Sequence, residues 1–540
     1  MLLWLLLIAS ALGFNLALWG SIGAVRFFSE RRVDNSPGGS GHHAIGLQDV
    51  AVLIPAHNEA AVIEKTVAAI TRLVPAANVY VVSDGSTDAT AGLALRAGAN
   101  VLELPVAGGK ANALKQGIER FDIRYRYSAL LLLDADTRLD DDYFAVALPW
   151  FDDPEVCAVA GCATTVWKPE ETSPRGQLLA AHRDRVYFLF QYLVKYGQCW
   201  KRANVTPIVP GFASLYRTEV LDKIQIDRPG LVIEDFNMTF DVHRLGLGRI
   251  AFDPRATAYT EDPHRVRDYY RQVRRWSLGF WQTVRAHGFW PSKFWAALGL
   301  MIVELITSSV ALLMAAVALV ALVSADLFHD TIAQPGLLHD VVTPVTSLFS
   351  YRTLALGILL PDYLLTCVTA AVKRRPRMLL LGLLFVPLRV LDALALLVSI
   401  PRAWLVRSTG RWTSPQRQGA ELPVVDLPAF DLPVIDLPAL ERPAPATASA
   451  PPALAPVGTS LFAPTPGQQP IAPQPAAIPA LTAPMATLAQ PPALPSVQFG
   501  SPVAGVPAPE PEIGSQLPDW ALQMLAANVL SEAPPLFEMT

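Results

Sequence analysis

Four apolar runs bracket the polar part of this chain, at residues 2–25, 294–324, 352–372 and 378–400. A helix climbs about 1.5 Å per residue, and roughly 20 apolar residues cross a bilayer. Each run is therefore long enough to span one. The chain must place a large polar segment between a single N-terminal span and a C-terminal membrane region. A hydrophobic fraction of 52% against 17% charged residues suits an integral membrane protein with a soluble portion. A cleaved signal peptide would explain the first run less well, because it lacks a basic leading region and its apolar stretch is long.

Charge sets the expected orientation. Arg26, Arg31 and Arg32 follow the first run and put the next segment in the cytoplasm by the positive-inside rule. The 325–350 loop has no Lys or Arg, as expected outside, whereas Lys373, Arg374, Arg375 and Arg377 are expected inside. The third C-terminal run reads as a span or as a re-entrant segment. Arg402, Arg407, Arg411 and Arg417 behind it favour the re-entrant arrangement, with a cytoplasmic tail. Glu304, Asp362, Arg389 and Asp392 fall inside the expected spans, where charges either pair or line a polar path.

The expected organisation is an N-terminal transmembrane helix (1–28), a cytoplasmic domain (29–290), a membrane region (291–410) and a tail (411–540). From Gly419 the composition shifts. ELPVV-DLPAF-DLPVI-DLPAL is a five-residue repeat over 421–440, and a Pro/Ala-rich tract follows. Such a tract builds no core and reads as disordered, partly polyproline II. A short amphipathic helix fits 518–530. The tail reads as a linker or as a docking segment for a protein partner. Residues 419–540 carry a net charge of −9 against −4 for the whole chain, leaving +5 on residues 1–418. A mildly basic body suits an anionic membrane face or a phosphate-bearing ligand. No nucleic-acid partner is expected. The four cysteines, Cys157, Cys162, Cys199 and Cys367, form no CxxC pair and no zinc signature.

Within 29–290 apolar strands alternate with helices. AVLIPA (51–56), NVYVVSD (78–84), NVLELP (100–105) and ALLLLDAD (129–136) read as strands; 60–73, 87–97 and 110–121 read as helices. The fold class expected is α/β, with a mostly parallel sheet covered on both faces. Ligands in such sheets bind beyond the carboxyl ends of the strands. His57, Asn58, Glu59, Asp84, Asp134 and Asp136 stand there.

Five short patterns carry chemistry, each with a bland alternative. Asp134 and Asp136, two residues apart after a strand, leave the sheet on one side and suit a hard divalent cation; DxD also arises by chance. Asp84-Gly85 puts a carboxylate on a tight turn, where it accepts hydrogen bonds from a base or ribose, or merely leads into a helix. Gly108-Gly109-Lys110 opens a helix, where backbone and cation favour phosphate; the GxxxxGK[ST] spacing is absent, and Lys110 also reads as a solvated lysine. Glu234-Asp235 begins a helix, as caps or as a general base. Lastly, DYYRQVRRWSLGFW (268–281) is crowded with arginines and aromatics. A membrane collar explains those residues. Gln272, Arg275 and Trp276, however, are spaced i, i+3, i+4 and share a helix face. An amide, a guanidinium that forks onto diphosphate and an indole that stacks under a sugar make a recognition face.

Taken in order, PAHNE (55–59), SDGSTD (83–88), GGKANALKQG (108–117), DAD (134–136), GFASLYR (211–217), IED (233–235), TED (260–262) and QVRRW (272–276) are similar to the motifs of the inverting family 2 glycosyltransferases. The chain resembles their membrane-integrated branch, the hyaluronan, chitin, cellulose and poly-N-acetylglucosamine synthases, over about residues 48–290. The resemblance implies a glycosyltransferase A type, nucleotide-sugar-binding domain inserted between transmembrane helices, at the plasma (inner) membrane, multi-pass, with the catalytic domain cytoplasmic. It implies transfer of a sugar from a nucleotide diphosphate sugar, a UDP-sugar above all, to a growing polysaccharide. A lipid acceptor taking one sugar, or an inactive scaffold acting through its tail, are the alternatives. By resemblance Asp235, with Glu234, is catalytic. Pro55, Asn58, Glu59, Asp84, Lys110, Asp134 and Arg275 bind donor; Gln272, Trp276, Gly211 and Phe212 face the acceptor. Asp136 holds Mg²⁺ or Mn²⁺. Glu261 matches a family position to which no role is assigned.

Overall fold

The computed structural model describes residues 7, 11–31, 44–166, 172–260 and 262–406. The DLP repeat, the expected 518–530 helix and Glu261 lie outside the described residues.

The apolar runs of the middle segment form strands as their composition dictates. β1 (Val50–Ala56), β2 (Val79–Asp84), β3 (Asn100–Leu104) and β4 (Ala129–Leu133) pair in parallel, in the spatial order β3-β2-β1-β4. Side chains alternate across the sheet. Val50, Val52 and Ile54 enter one core, and Ala51 and Leu53 enter the other. Both faces of the sheet thus lie in a core. α2 (Ile63–Ile70), α3 (Thr90–Arg96) and α4 (Lys110–Arg120) connect these strands.

Beyond β4 the sheet departs from the expected parallel plan. β5 (Arg138–Leu139), β6 (Val156–Thr165), β7 (Ala213–Arg217) and β8 (Arg249–Thr260) complete an eight-stranded sheet, β3-β2-β1-β4-β7-β6-β8-β5. β7 runs antiparallel to both β4 and β6, and β5 antiparallel to β8, while β6 and β8 are parallel. The sheet is therefore mixed rather than mostly parallel. Strand composition reports burial, not direction, so the reversal at β7 is invisible in the residues themselves. It has a local consequence. Leu133, the last residue of β4, faces Ala213, the first of β7. The segment entering β7, Gly211-Phe212, therefore lies against the residues leaving β4.

Among the described residues, two helices are long and apolar enough to cross a membrane, Lys293–Leu327 and Tyr351–Val372. The other two expected spans differ. Within the described part of the first run the helix is interrupted at Gly13, and α1 (Phe14–Arg31) starts after it and packs on the segment 189–198. Its Arg26, expected to mark the cytoplasmic flank, is 1% exposed. It donates to the carbonyls of Tyr196 (2.9 Å) and Phe252 (3.3 Å), pairs with Glu30 and stacks on Tyr196 at 4.1 Å. The run 378–400 is split at Leu383-Leu384 into Arg377–Gly382 and a helix Phe385–Leu405. The latter carries Arg389, Asp392 and Arg402 and packs on the helix Val266–His287.

The charges inside the expected spans are paired. Glu304 accepts from the Asn15 backbone (2.6 Å) and side-chain amide (3.0 Å). Asp362 bonds to both Arg185 and Arg389. Asp392 accepts from the Tyr269 hydroxyl (2.7 Å) and pairs with His182 (3.0 Å).

Candidate active site

Asp84, Lys110, Asp134, Gly211, Phe212, Glu234 and Asp235 sit at or beside the ends of strands and helices, whereas Gln272, Arg275 and Trp276 lie inside one helix. Gly109 takes φ +91°, a conformation that costs glycine little, and hands the chain to α4 at Lys110. Asp84, at the end of β2, accepts hydrogen bonds from the amides of Gly108 (2.8 Å) and Gly109 (2.7 Å). Its carboxylate fixes the glycine loop. His57 Nδ1 lies 2.6 Å from the Asp84 carbonyl.

Lys110 then reaches across the sheet ends. Its Nζ is 2.7 Å from Asp134 Oδ1, 3.0 Å from Glu234 Oε1 and donates to the Gly211 carbonyl at 3.1 Å. Lys110 is neither a freely solvated lysine nor alone. Burial works against its charge, but Asp134 and Glu234 outweigh that and hold the ammonium above its ordinary range. Asp134 is raised by its own burial, with Lys110 opposing.

The antiparallel turn-in at β7 completes this centre. The Asp134 amide donates to the Phe212 carbonyl (3.0 Å), and the Gly211 amide donates to Asp235 Oδ2 (3.3 Å). Gly211 is pressed against the site: a Cβ there would lie 3.0 Å from Glu234 Oε1 and 3.2 Å from Lys110 Nζ. Glu234 and Asp235 open α6 (Glu234–Arg244), where the helix dipole favours acids. Asp235 also accepts from the Phe236 amide (2.7 Å). Its carboxyl is pushed up to about 7, by burial first and then by Glu234, against Lys110. Two adjacent acids in one poorly solvated place cannot both ionise cheaply, which poises one of them for proton transfer near neutrality.

α7 (Val266–His287) contributes its two-sided face. The charges of Glu234, Asp134, Asp235 and Asp136 act on the Arg275 guanidinium and oppose the downward pull of its burial. Beside it on the same helix, Gln272 and Trp276 meet a residue the motifs had not singled out. Arg183, on α5 (Pro174–Phe188), donates to Gln272 Oε1 and lies 4.4 Å from the Trp276 ring centre. Asp262, beyond β8, is 3.4 Å from Arg183 Nε, and its burial raises it to about 6. Sequence gave little warning of Arg183, because HRDR reads as an exposed helix face.

Asn58, Glu59 and Pro55 stand apart from this centre. Asn58 accepts from the Thr87 amide (2.8 Å), and the Glu59 amide donates to Thr90 Oγ1 (2.9 Å), so both tie the β1 exit to the loop after β2. Pro55 lies within β1, paired with Val82. Asp136 follows Asp134 across the buried Ala135. Among the described residues no group of three or more His, Cys, Asp or Glu side chains is placed to hold a metal.

The chain carries a family 2 glycosyltransferase domain: residues 129–366 match the family described as Glycosyl transferase family group 2. Among curated relatives, the poly-beta-1,6-N-acetyl-D-glucosamine synthase of Staphylococcus epidermidis is 25% identical over 256 residues, covering 46% of this chain and 58% of the relative. The probable glycosyltransferase YdaM of Bacillus subtilis is 27% identical over 245 residues, 43% of this chain and 55% of the relative. The chain thus spans little more than half the length of either. Of solved structures, the mannosyltransferase PcManGT from Pyrobaculum calidifontis, in complex with GDP-Man and Mn2+, aligns with a TM-score of 0.40 at 17% identity, over 74% of this chain and 99% of that one.

Proposed function

We propose that the chain moves a sugar from a nucleotide diphosphate sugar, a UDP-sugar, to a hydroxyl of a growing polysaccharide at the plasma membrane, with the catalytic domain cytoplasmic. The observation that carries this reading is the raised carboxyl of Asp235 beside Glu234, joined through Gly211 to Lys110 and Asp134. It puts a proton acceptor and a cationic anchor at the two ends of one small site. The similarity to a poly-beta-1,6-N-acetyl-D-glucosamine synthase supports a polymer as product and N-acetylglucosamine as the sugar.

In the reaction Asp235 takes the proton from the acceptor hydroxyl as that oxygen attacks the anomeric carbon. The sugar–phosphate bond breaks on the opposite face, and the configuration inverts. Lys110 and Arg275 stabilise the departing nucleoside diphosphate. Asp84 holds the glycine loop on which the nucleotide rests, and Asn58, Glu59 and Pro55 shape the wall beside it. Gln272 and Trp276 support the acceptor, with Gly211 and Phe212 as the floor between donor and acceptor.

A divalent cation fits the donor set. Asp136 and Asp134 offer only hard carboxylate oxygens, and Mg²⁺ is commonly bound by one or two carboxylates plus substrate phosphates. Asp136 would hold Mg²⁺ or Mn²⁺, which supplies charge neutralisation to the diphosphate. Asp136→Ala is expected to lower transfer by about a hundredfold or more and to remove its dependence on added Mn²⁺. A variant with an unchanged metal titration would refute the assignment.

The direct test is a product assay. The protein in nanodiscs, with Mn²⁺ or Mg²⁺, is offered labelled UDP-N-acetylglucosamine, UDP-glucose, UDP-galactose and UDP-glucuronate separately, and the product is sized. A high-molecular-weight polymer from one donor is expected, with UDP-N-acetylglucosamine first. A small, organic-extractable product would make the acceptor a lipid, and no transfer from any donor would count against the reading.

A further inference from the structure

α5 (Pro174–Phe188) contains four consecutive ionisable residues, His182, Arg183, Asp184 and Arg185, each no more than 3% exposed. Successive residues on a helix point about 100° apart, so four buried in a row require partners on every side. Each has one. His182 pairs with Asp392 (3.0 Å) of the helix Phe385–Leu405. Asp184 accepts from Arg375 (2.8 Å) and lies 3.5 Å from Lys373. Arg185 bonds to the side chain of Asp362 and to its carbonyl (3.1 Å). These three are held by the C-terminal helical region.

Arg183 is the one that turns towards the site. Its guanidinium is 4.4 Å from the Trp276 ring centre, 5.3 Å from that of Tyr269 and 5.5 Å from that of Tyr187. It donates to Gln272 and faces Asp262. A flat cation against an indole is worth most when water is excluded, and a guanidinium can stack and donate in its own plane at once. Among the described residues, Gln272 and Trp276 make no other side-chain hydrogen bond or cation–ring contact. His182 and Asp184, on either side of Arg183, are clamped by Asp392 and Arg375, so the helix cannot turn Arg183 away without breaking those pairs.

We propose that Arg183 is the positioning residue of the acceptor platform, fixing Trp276 by stacking and Gln272 by hydrogen bonding so that both present one set geometry to the acceptor sugar. The inference rests on the transferase reading above and adds a residue on another helix to it. Arg183 does no chemistry and touches neither the donor anchor Lys110 nor Asp235. Its loss therefore acts on acceptor binding and leaves donor binding in place.

The experiment uses the full chain in nanodiscs, UDP-N-acetylglucosamine as donor and a soluble β-1,6-linked N-acetylglucosamine trisaccharide as acceptor. Kinetics are read against each substrate for wild type, Arg183→Gln and Arg183→Lys, alongside slow hydrolysis of the donor without acceptor. Arg183→Gln is expected to raise the acceptor KM about ten- to hundredfold, with the donor KM for hydrolysis within about twofold of wild type. Arg183→Lys keeps the charge but not the flat fork and is expected to retain most of the defect. An unchanged acceptor KM in Arg183→Gln, or full recovery in Arg183→Lys, overturns the inference while leaving the transferase reading intact. Parallel loss of donor hydrolysis also overturns it, since that pattern belongs to a general folding role. A wild-type protein that neither hydrolyses nor transfers any sugar nucleotide overturns the transferase reading itself, and this inference with it.

Discussion

Asp235→Asn is expected to lower turnover by about a hundredfold to ten-thousandfold, the range over which a positioned general base acts. Donor binding should change little, because Asn keeps the acceptor oxygen for the Gly211 amide and leaves Lys110 with Asp134 and Glu234. The same carboxyl fixes the pH dependence. Its pKa is pushed up to about 7, and only the ionised form accepts a proton. Wild-type turnover should therefore rise with pH and level off above roughly 7. Stability runs the other way. The folded pKa lies above the ordinary value of 3.8, so the folded state binds the proton more tightly than the unfolded chain. This contribution is full below the unfolded value and is lost as pH climbs through the folded one. Asp235→Asn should thus unfold at a higher temperature than wild type at pH 8 while being nearly inactive. A variant that is both inactive and less stable would mean that Asp235 holds the fold, not the proton.

The second large effect is on stability alone. Asp362→Ala leaves Arg185 and Arg389 buried or half-buried against each other with no counter-charge. Removing one partner of a buried ion network typically costs about 3–5 kcal/mol. In nanodiscs this should lower the unfolding temperature by about 5–10 °C. The pair itself is not required for stability: Asp362→Leu combined with Arg185→Met and Arg389→Met should recover most of the loss, as apolar replacements of buried ion pairs commonly do. Were Asp362→Ala to unfold at the wild-type temperature, these arginines would have water or another partner to turn to.

Some of this architecture is legible in the residues and some is not. ALLLL is followed by DAD, and a buried strand does end there; Glu234 does open a helix; QVRRW does lie on one. These are local facts, set by burial and by helix termini. The convergence of Lys110, Asp134, Glu234 and Gly211 is not local. It depends on β7 reversing against β4, and no residue in ASLYR states its direction. The HRDR tetrad was unreadable for a similar reason. Its partners lie at residues 392, 272, 375 and 362, far along the chain, and a local pattern of charges reads as solvated until those partners are placed. The split at Leu383-Leu384 was hidden because the residues around it are as apolar as those of a continuous span.

Arg26 imposes an order in time. It leaves the ribosome well before its partners, for the carbonyls it needs belong to residues 170 and 226 positions later. At about 5–20 residues per second, the second of these appears roughly 11–45 s after Arg26 does. Through that interval the guanidinium must be kept hydrated, or lent to another acceptor, while the rest of its helix seeks an apolar surface. Biogenesis of this protein is therefore a waiting problem. The nascent chain needs a holding environment for the helix that carries Arg26 until the strand containing Phe252 has been made.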